Sequence, residues 1–229
     1  MELIAPRRRR VRLEPRGGWQ AAQRRTLAIG LVAAAATTGA VVVEVGRIWR
    51  QGSAPLPGDT DDLLGAAEEA VTETVEAAVV GYQDVSVWEN AMFNLLVSFV
   101  STFALARGIT YLLRRRRTVG PFRALRVGRH HIHHFIPGIM IAFASGAAAI
   151  VTRDETVEPK LAVAFGAGMG LTLDESALLL ELEDVYWSRE GILSVQITLA
   201  VIALMSALAM GLRFLRRGEQ LVLPQPAPG

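Results

Sequence analysis

What most constrains this chain is where its charges are absent. Asp, Glu, Lys and Arg make up 20% of the 229 residues, yet they fall in blocks separated by long uncharged stretches. A water-facing surface would intersperse them. A hydrocarbon core of about 30 Å calls for roughly 20 apolar residues per helical crossing. Five stretches fit: span 1 at residues 26–45, span 2 at 91–113, span 3 at 135–151, span 4 at 161–182 and span 5 at 192–212. With 51% hydrophobic residues and a mean hydropathy of +0.32, the expected fold is all-α. It is a polytopic membrane helix bundle of about five transmembrane helices plus an external amphipathic helix.

The charge blocks also set an expected orientation. Arg7–Arg10, Arg12, Arg16, Arg24 and Arg25 precede span 1, and Arg114–Arg117, Arg123, Arg126 and Arg129 lie between spans 2 and 3. The positive-inside rule puts both blocks in the cytoplasm of a bacterium, with the chain in its plasma membrane. The loop between spans 1 and 2 carries Asp59, Asp61, Asp62, Glu68, Glu69, Glu73 and Glu76 and falls outside. Counting onward puts "ELEDVYWSREG" inside and "RFLRRGEQ" outside, so Arg213, Arg216 and Arg217 land on the side the rule disfavours. The expected organisation is a basic cytoplasmic segment (1–25), a first crossing (26–49) and an acidic external loop (50–89). A four-helix membrane domain (90–215) and a tail (216–229) follow. "QRRTLAIG" is similar to a twin-arginine signal, but the apolar run after it exceeds the roughly 7–15 residues of a signal core, which favours a retained anchor.

In the acidic loop, Leu63, Leu64, Ala67, Val71, Val75, Ala78 and Val79 recur near the helical period, with Thr60 or Asp61 as N-cap. This predicts a helix lying on the membrane or on its own bundle rather than an arm for a partner.

Chemistry is bounded by what is missing. The chain has no cysteine, which excludes disulfides, iron–sulfur clusters and thiol nucleophiles. Lys160 is the only lysine, and so arginine-rich a chain reads as codon bias before phosphate recognition. No nucleic-acid partner is expected. All four histidines, His130, His131, His133 and His134, sit in "GRHHIHHFIPG" directly before span 3. Pro137 fixes its own φ and disfavours helical geometry at Ile136, which predicts a helix from about Pro137 with the histidines on an extended lead-in.

Span 4 reads "LAVAFGAGMGLTLDESALLLELEDVYW". It lacks the strand and spacing of a dinucleotide loop, but Gly166 and Gly170 form G-x-x-x-G, which permits close approach of another helix. Asp174 continues that i, i+4 series and shares a stripe with Glu181 and Asp184, while Glu175 and Glu183 point elsewhere. In span 3, His134, Gly138, Ala142 and Gly146 repeat at the same interval, with Ser145 adjacent. Two small-residue faces on antiparallel neighbours are expected to meet. That brings His130–His134 beside Glu181 and Asp184, with Asp174 deeper.

Imidazoles and carboxylates together are the ligands of zinc, iron and manganese. The leading expectation is a divalent transition metal held by His130, His131, His133 and His134 with Glu181 and Asp184. Asp174 or Glu175 would be general base in hydrolysis of a lipid or other membrane-embedded substrate. The spacing H-x-x-H-H resembles one histidine box of membrane di-iron desaturases and hydroxylases, which draw histidines from several boxes; this chain has one, and that family is set aside. Two other readings stay open. One is a proton- or cation-coupled transporter or channel using Asp174 and Glu175, in which a homo-oligomer would supply symmetry. The other is a non-catalytic scaffold whose Arg126 and Arg129, with the histidines, bind anionic phospholipid head groups in the bilayer. Asp174 also has a structural role available, because Arg107 lies at similar depth in span 2 and an intramembrane charge needs a partner.

Lesser features have simpler explanations. Glu44 and Arg47 stand at i, i+3 and are expected to pair. Tyr186 and Trp187 read as an interfacial aromatic belt. Ser176 reads as bonded to its own helix backbone.

"HHIHHFIPGI", "GLTLDESALLLELEDVYW" and the basic N-terminus together resemble a group of uncharacterised multi-pass membrane proteins of actinobacteria. The resemblance covers roughly residues 90–215. It implies a bacterial plasma-membrane setting and carries no activity.

Overall fold

The computed structural model describes residues 16–115, 126–127, 130–131, 135–152, 154–174 and 189–223. Among them are six helices: α1 Arg16–Gln51, α2 Leu63–Gln83, α3 Val87–Arg115, α4 Phe135–Val151, α5 Glu158–Asp174 and α6 Arg189–Val222. Between α3 and α4, β1 Arg126–Val127 pairs antiparallel with β2 His130–His131, in the register Arg126 to His131 and Val127 to His130.

Among the described residues, three segments are long and apolar enough to cross a membrane: Ala28–Gln51, Val87–Ile109 and Val195–Val222. That is fewer than the five expected. Helix α4 has 17 residues, and α5 is described over 17, up to Asp174. At 1.5 Å per residue α4 reaches about 26 Å, short of a typical hydrocarbon core. Glu158, Lys160 and Asp174 also put charge at both ends of α5. The outer surface remains lipid-like, with Leu31 70%, Phe143 77% and Ile150 85% exposed. A soluble monomer rarely exposes such contiguous apolar area.

Lipid is as apolar as leucine, so close approach rather than hydrophobicity pairs these helices. The centre is α5, which carries glycine at three alternate positions. A Cβ on Gly166 would collide with the Leu95 carbonyl and Ser98 of α3, and one on Gly170 with the Phe99 carbonyl. Two residues advance a helix by about 200°, and Gly168 accordingly faces the other way, against the Gly138 carbonyl and Ala142 of α4. This corrects the expected pairing. The Gly166/Gly170 stripe seats α3, and α4 is met by Gly168, Leu171 and Thr172, which pack on Gly138, and by Phe165 on Gly146.

The contacts also give directions. Asn94 donates to the Pro159 carbonyl (3.2 Å) and Arg107 to the Asp174 carbonyl (3.1 Å), sequence separations of 65 and 67, so α3 and α5 run parallel. Gly138 meets Leu171 whereas Gly146 meets Phe165, so α4 is antiparallel to α5. Helices α1 and α6 are parallel, because Glu44–Arg216 and Arg47–Glu219 share one separation of 172.

The helix start points differ slightly from expectation. Helix α4 begins at Phe135, with Pro137 inside the first turn, where its missing N–H has no partner to lose. The cap of α2 is Asp62, one residue beyond the expected pair. Its carboxylate accepts from the Gly65 N–H (3.0 Å), while the Thr60 hydroxyl accepts from Asp62 N–H.

Helix α2 packs on the bundle through its small residues. Ala66, Ala70, Ala77 and Gly81 are buried, while Leu64, Val71, Val75 and Val79 are exposed. Gly81 lies on the Phe214 carbonyl and Gly218 of α6 on the Ala77 carbonyl. Only the Ala/Gly face admits that approach. Ile48, Ala77 and Leu215 form the buried core there, and Tyr82, Phe93 and Phe214 meet one another tilted or edge-on with centroids 5.2–6.2 Å apart.

Candidate functional site

The bundle has two polar ends. At the first, α4 begins and α5 is described to Asp174. Asp174 is 2% exposed in its side chain, and its Oδ1 lies 2.6 Å from Arg107 Nε. The pair is brought together because Asp174 continues the Gly166/Gly170 stripe that seats α3, and parallel α3 delivers Arg107 at matching depth. A charge in an apolar surround is tolerated only with such a partner.

A third residue completes the cluster. Gln196 of α6, 2% exposed, accepts from Arg107 Nη2 through Oε1 (2.7 Å) and donates through Nε2 to the Leu173 carbonyl (2.6 Å). Arg107 Nη2 also reaches the Asp174 carbonyl (3.1 Å), and the guanidinium lies over the Phe103 ring, 5.4 Å from its centroid. Three helices thus converge on one guanidinium. Sequence reasoning missed Gln196. Its signal was available: a lone amide in the apolar run "SVQITLAVIALM", where a polar group must find partners.

In this arrangement Asp174 is the counter-ion of Arg107 and is committed to it. That is the structural ion pair which the sequence offered as the alternative to a catalytic role for Asp174. Glu175, the alternative base, lies outside the described residues, as do Arg129, His133, His134, Glu181 and Asp184. Arg126, His130 and His131 are described as backbone in the short β pair, an extended lead-in to α4. No group of three or more metal-ligating residues occurs among the described residues. Ser145 donates to its own helix at the Ile141 carbonyl (2.6 Å).

The second polar end is built from charges that the sequence leaves in conflict with the positive-inside rule. Arg213 pairs with Glu89 (2.9 Å), Arg217 with Asp84 (2.6 Å) and Arg216 with Glu44 (3.3 Å). Arg47 holds Glu44 at 2.6 Å, the expected i, i+3 contact, and also Glu219. The three arginines therefore lie at the acidic-loop end, each facing a carboxylate. Asp84 caps the end of α2 and Glu89 lies in the first turn of α3, and α6 reaches both because Gly81 and Gly218 let it pack close to α2. At the start of α5, Asp154 accepts from the N–H and hydroxyl of Thr156 (2.8 Å each), and those bonds hold its carboxyl below the ordinary aspartate value.

Set against known families, curated proteins and solved structures, the chain has no match in any of the three comparisons.

Proposed function

We propose that the chain is a bacterial plasma-membrane protein of five crossings, with α4 and α5 as the two short ones and the N-terminus cytoplasmic. Its working site lies where α4 begins and α5 ends. There His130, His131, His133 and His134, with Glu181 and Asp184, would hold a divalent zinc, iron or manganese ion. Glu175 would act as base toward metal-bound water in hydrolysis of a lipid or other membrane-embedded substrate. The supporting observation is the antiparallel register of Gly138 with Leu171 and Thr172, which brings the start of α4, the helix that follows the histidines in sequence, beside the Asp174 end of α5. Asp174 is reassigned in this reading: paired with Arg107, it anchors the floor beneath the site.

Elemental analysis of the purified full chain tests this. Near-stoichiometric metal, lost in His133→Ala and in Glu181→Ala, is the expected result. Metal-free protein at neutral pH, after growth with all three metals supplied, rejects it.

One observation favours a second reading. An aspartate buried between three helices and balanced by an arginine is the arrangement that proton- or cation-coupled carriers use. Proton flux into vesicles carrying the full chain, independent of metal and abolished by Asp174→Asn, would select transport over hydrolysis.

A further inference from the structure

At the second polar end, away from the site just proposed, a cavity of about 460 Å³ opens beside the end of α6. That is within the roughly 300–1,000 Å³ of small-molecule sites. Arg213, Arg216 and Arg217 line it, with Asp84 as an acid among the lining residues and Phe214 and Leu221 as apolar wall. We propose that this cavity binds the phosphate of an anionic amphiphile, with the guanidinium groups on the phosphate and the apolar wall against the chain.

The argument begins with donor capacity. A guanidinium carries five N–H donors in a planar fork matched to phosphate. The ion pairs engage Arg213 and Arg216 through Nη2 and Arg217 through Nε, which leaves most of each fork for a second anion. The side chains of Arg213, Arg216 and Arg217 remain 72%, 64% and 54% exposed, so the forks are accessible while their carboxylate partners fix their positions. A site ordered in advance loses less entropy on binding.

The position of the cavity identifies the ligand class. It lies at the level where apolar α3 begins, since Arg213 holds Glu89 in the first turn of that helix. Trp88 beside it is 64% exposed, as interfacial tryptophans are. Leu221 on the cavity wall is 58% exposed, an apolar surface for which a free phosphate ion has no use. Phosphate chemistry is common to a lipid head group and to inorganic phosphate, and the wall favours the lipid.

The test uses the purified full chain in uncharged detergent, with dioctanoyl phosphatidylglycerol, dioctanoyl phosphatidylcholine and inorganic phosphate as probes and melting temperature and tryptophan emission as readouts. Phosphatidylglycerol should raise the melting temperature saturably and phosphatidylcholine should not. Arg213→Gln with Arg217→Gln should weaken binding roughly tenfold or more, the worth of one or two charge-assisted hydrogen bonds. Those changes also break ion pairs. Leu221→Asp is therefore the second variant: it puts a repelling carboxylate in the cavity without touching an arginine, and should weaken binding while the ligand-free melting temperature holds. Inorganic phosphate matching phosphatidylglycerol would support the anion site with a soluble ligand. Equal response to both lipids, or phosphatidylglycerol binding unchanged in both variants, overturns the proposal.

Discussion

Removing the Asp174 carboxylate leaves the Arg107 guanidinium with neutral partners among three apolar helices, the Gln196 amide and backbone carbonyls. Asp174→Asn and Arg107→Gln should each destabilise the protein, and the double variant should lose less than their sum. A coupling energy of about 0.5–3 kcal/mol in a double-mutant cycle is the expectation for residues in one polar network; strict additivity would show that the contact contributes nothing. A second residue-scale prediction concerns pH. Asp154 has its carboxyl held below the ordinary value of 3.8, first by the Thr156 hydroxyl and then by the Thr156 N–H. A lowered native pKa means that the contribution is fully present above 3.8 and is lost as pH falls through the lower native value. The protection factors of the Thr156 and Val157 amides, measured against their intrinsic exchange rates, should fall only in that acid range, and in Asp154→Asn the step should vanish. A step that survives the substitution would assign it to another group.

Helices in this molecule are joined by glycine contacts of two kinds. Alternate glycines let α5 be approached from both sides, whereas Gly81 and Gly218 let α2 and α6 cross with each glycine on the other's backbone. Gly218→Val therefore forces backbone apart, at about 1–3 kcal/mol or more by analogy with overpacked cores. The expected outcome is loss of hydrogen-exchange protection along α2 with protection along α3 and α5 retained. Intact protection in α2 would mean that the crossing does not hold it. The apolar stripe of α2 shows the limit of periodicity as a guide. Leu64, Val71, Val75 and Val79 mark the helix correctly, yet the face that docks is Ala66, Ala70, Ala77 and Gly81, because distance of approach rather than side-chain size selects it.

For the whole molecule, parallel α1 and α6 put the far end of α6 beside the acidic loop, and α3 carries the chain from that end toward the other. The absence of cysteine makes this measurable. Single cysteines at Gly58 and Gln220 should react with a membrane-impermeant maleimide from the same side of sealed vesicles, and one at Thr118 from the opposite side. Labelling of Gly58→Cys and Gln220→Cys from opposite sides would contradict the shared separation of the Glu44–Arg216 and Arg47–Glu219 pairs.

Charge-free runs alone determined that this chain is helical with segments long and apolar enough to cross a membrane, and counting residues along two of them was enough to set Arg107 level with Asp174. That succeeds because transfer from water to lipid depends on composition and length, both written in the sequence. Which helix each glycine admits, which face of α2 is covered, where Gln196 finds its partners and how three arginines come to frame a cavity were decided by tertiary structure. Within lipid no helix face is favoured by hydrophobicity, so the choice falls to backbone approach and to polar groups meeting at one depth. Both are properties of several segments at once. The histidine run was the most conspicuous motif in the sequence, but its chemistry depends on side chains from separate segments meeting at one point, which spacing along a single strand of sequence does not specify.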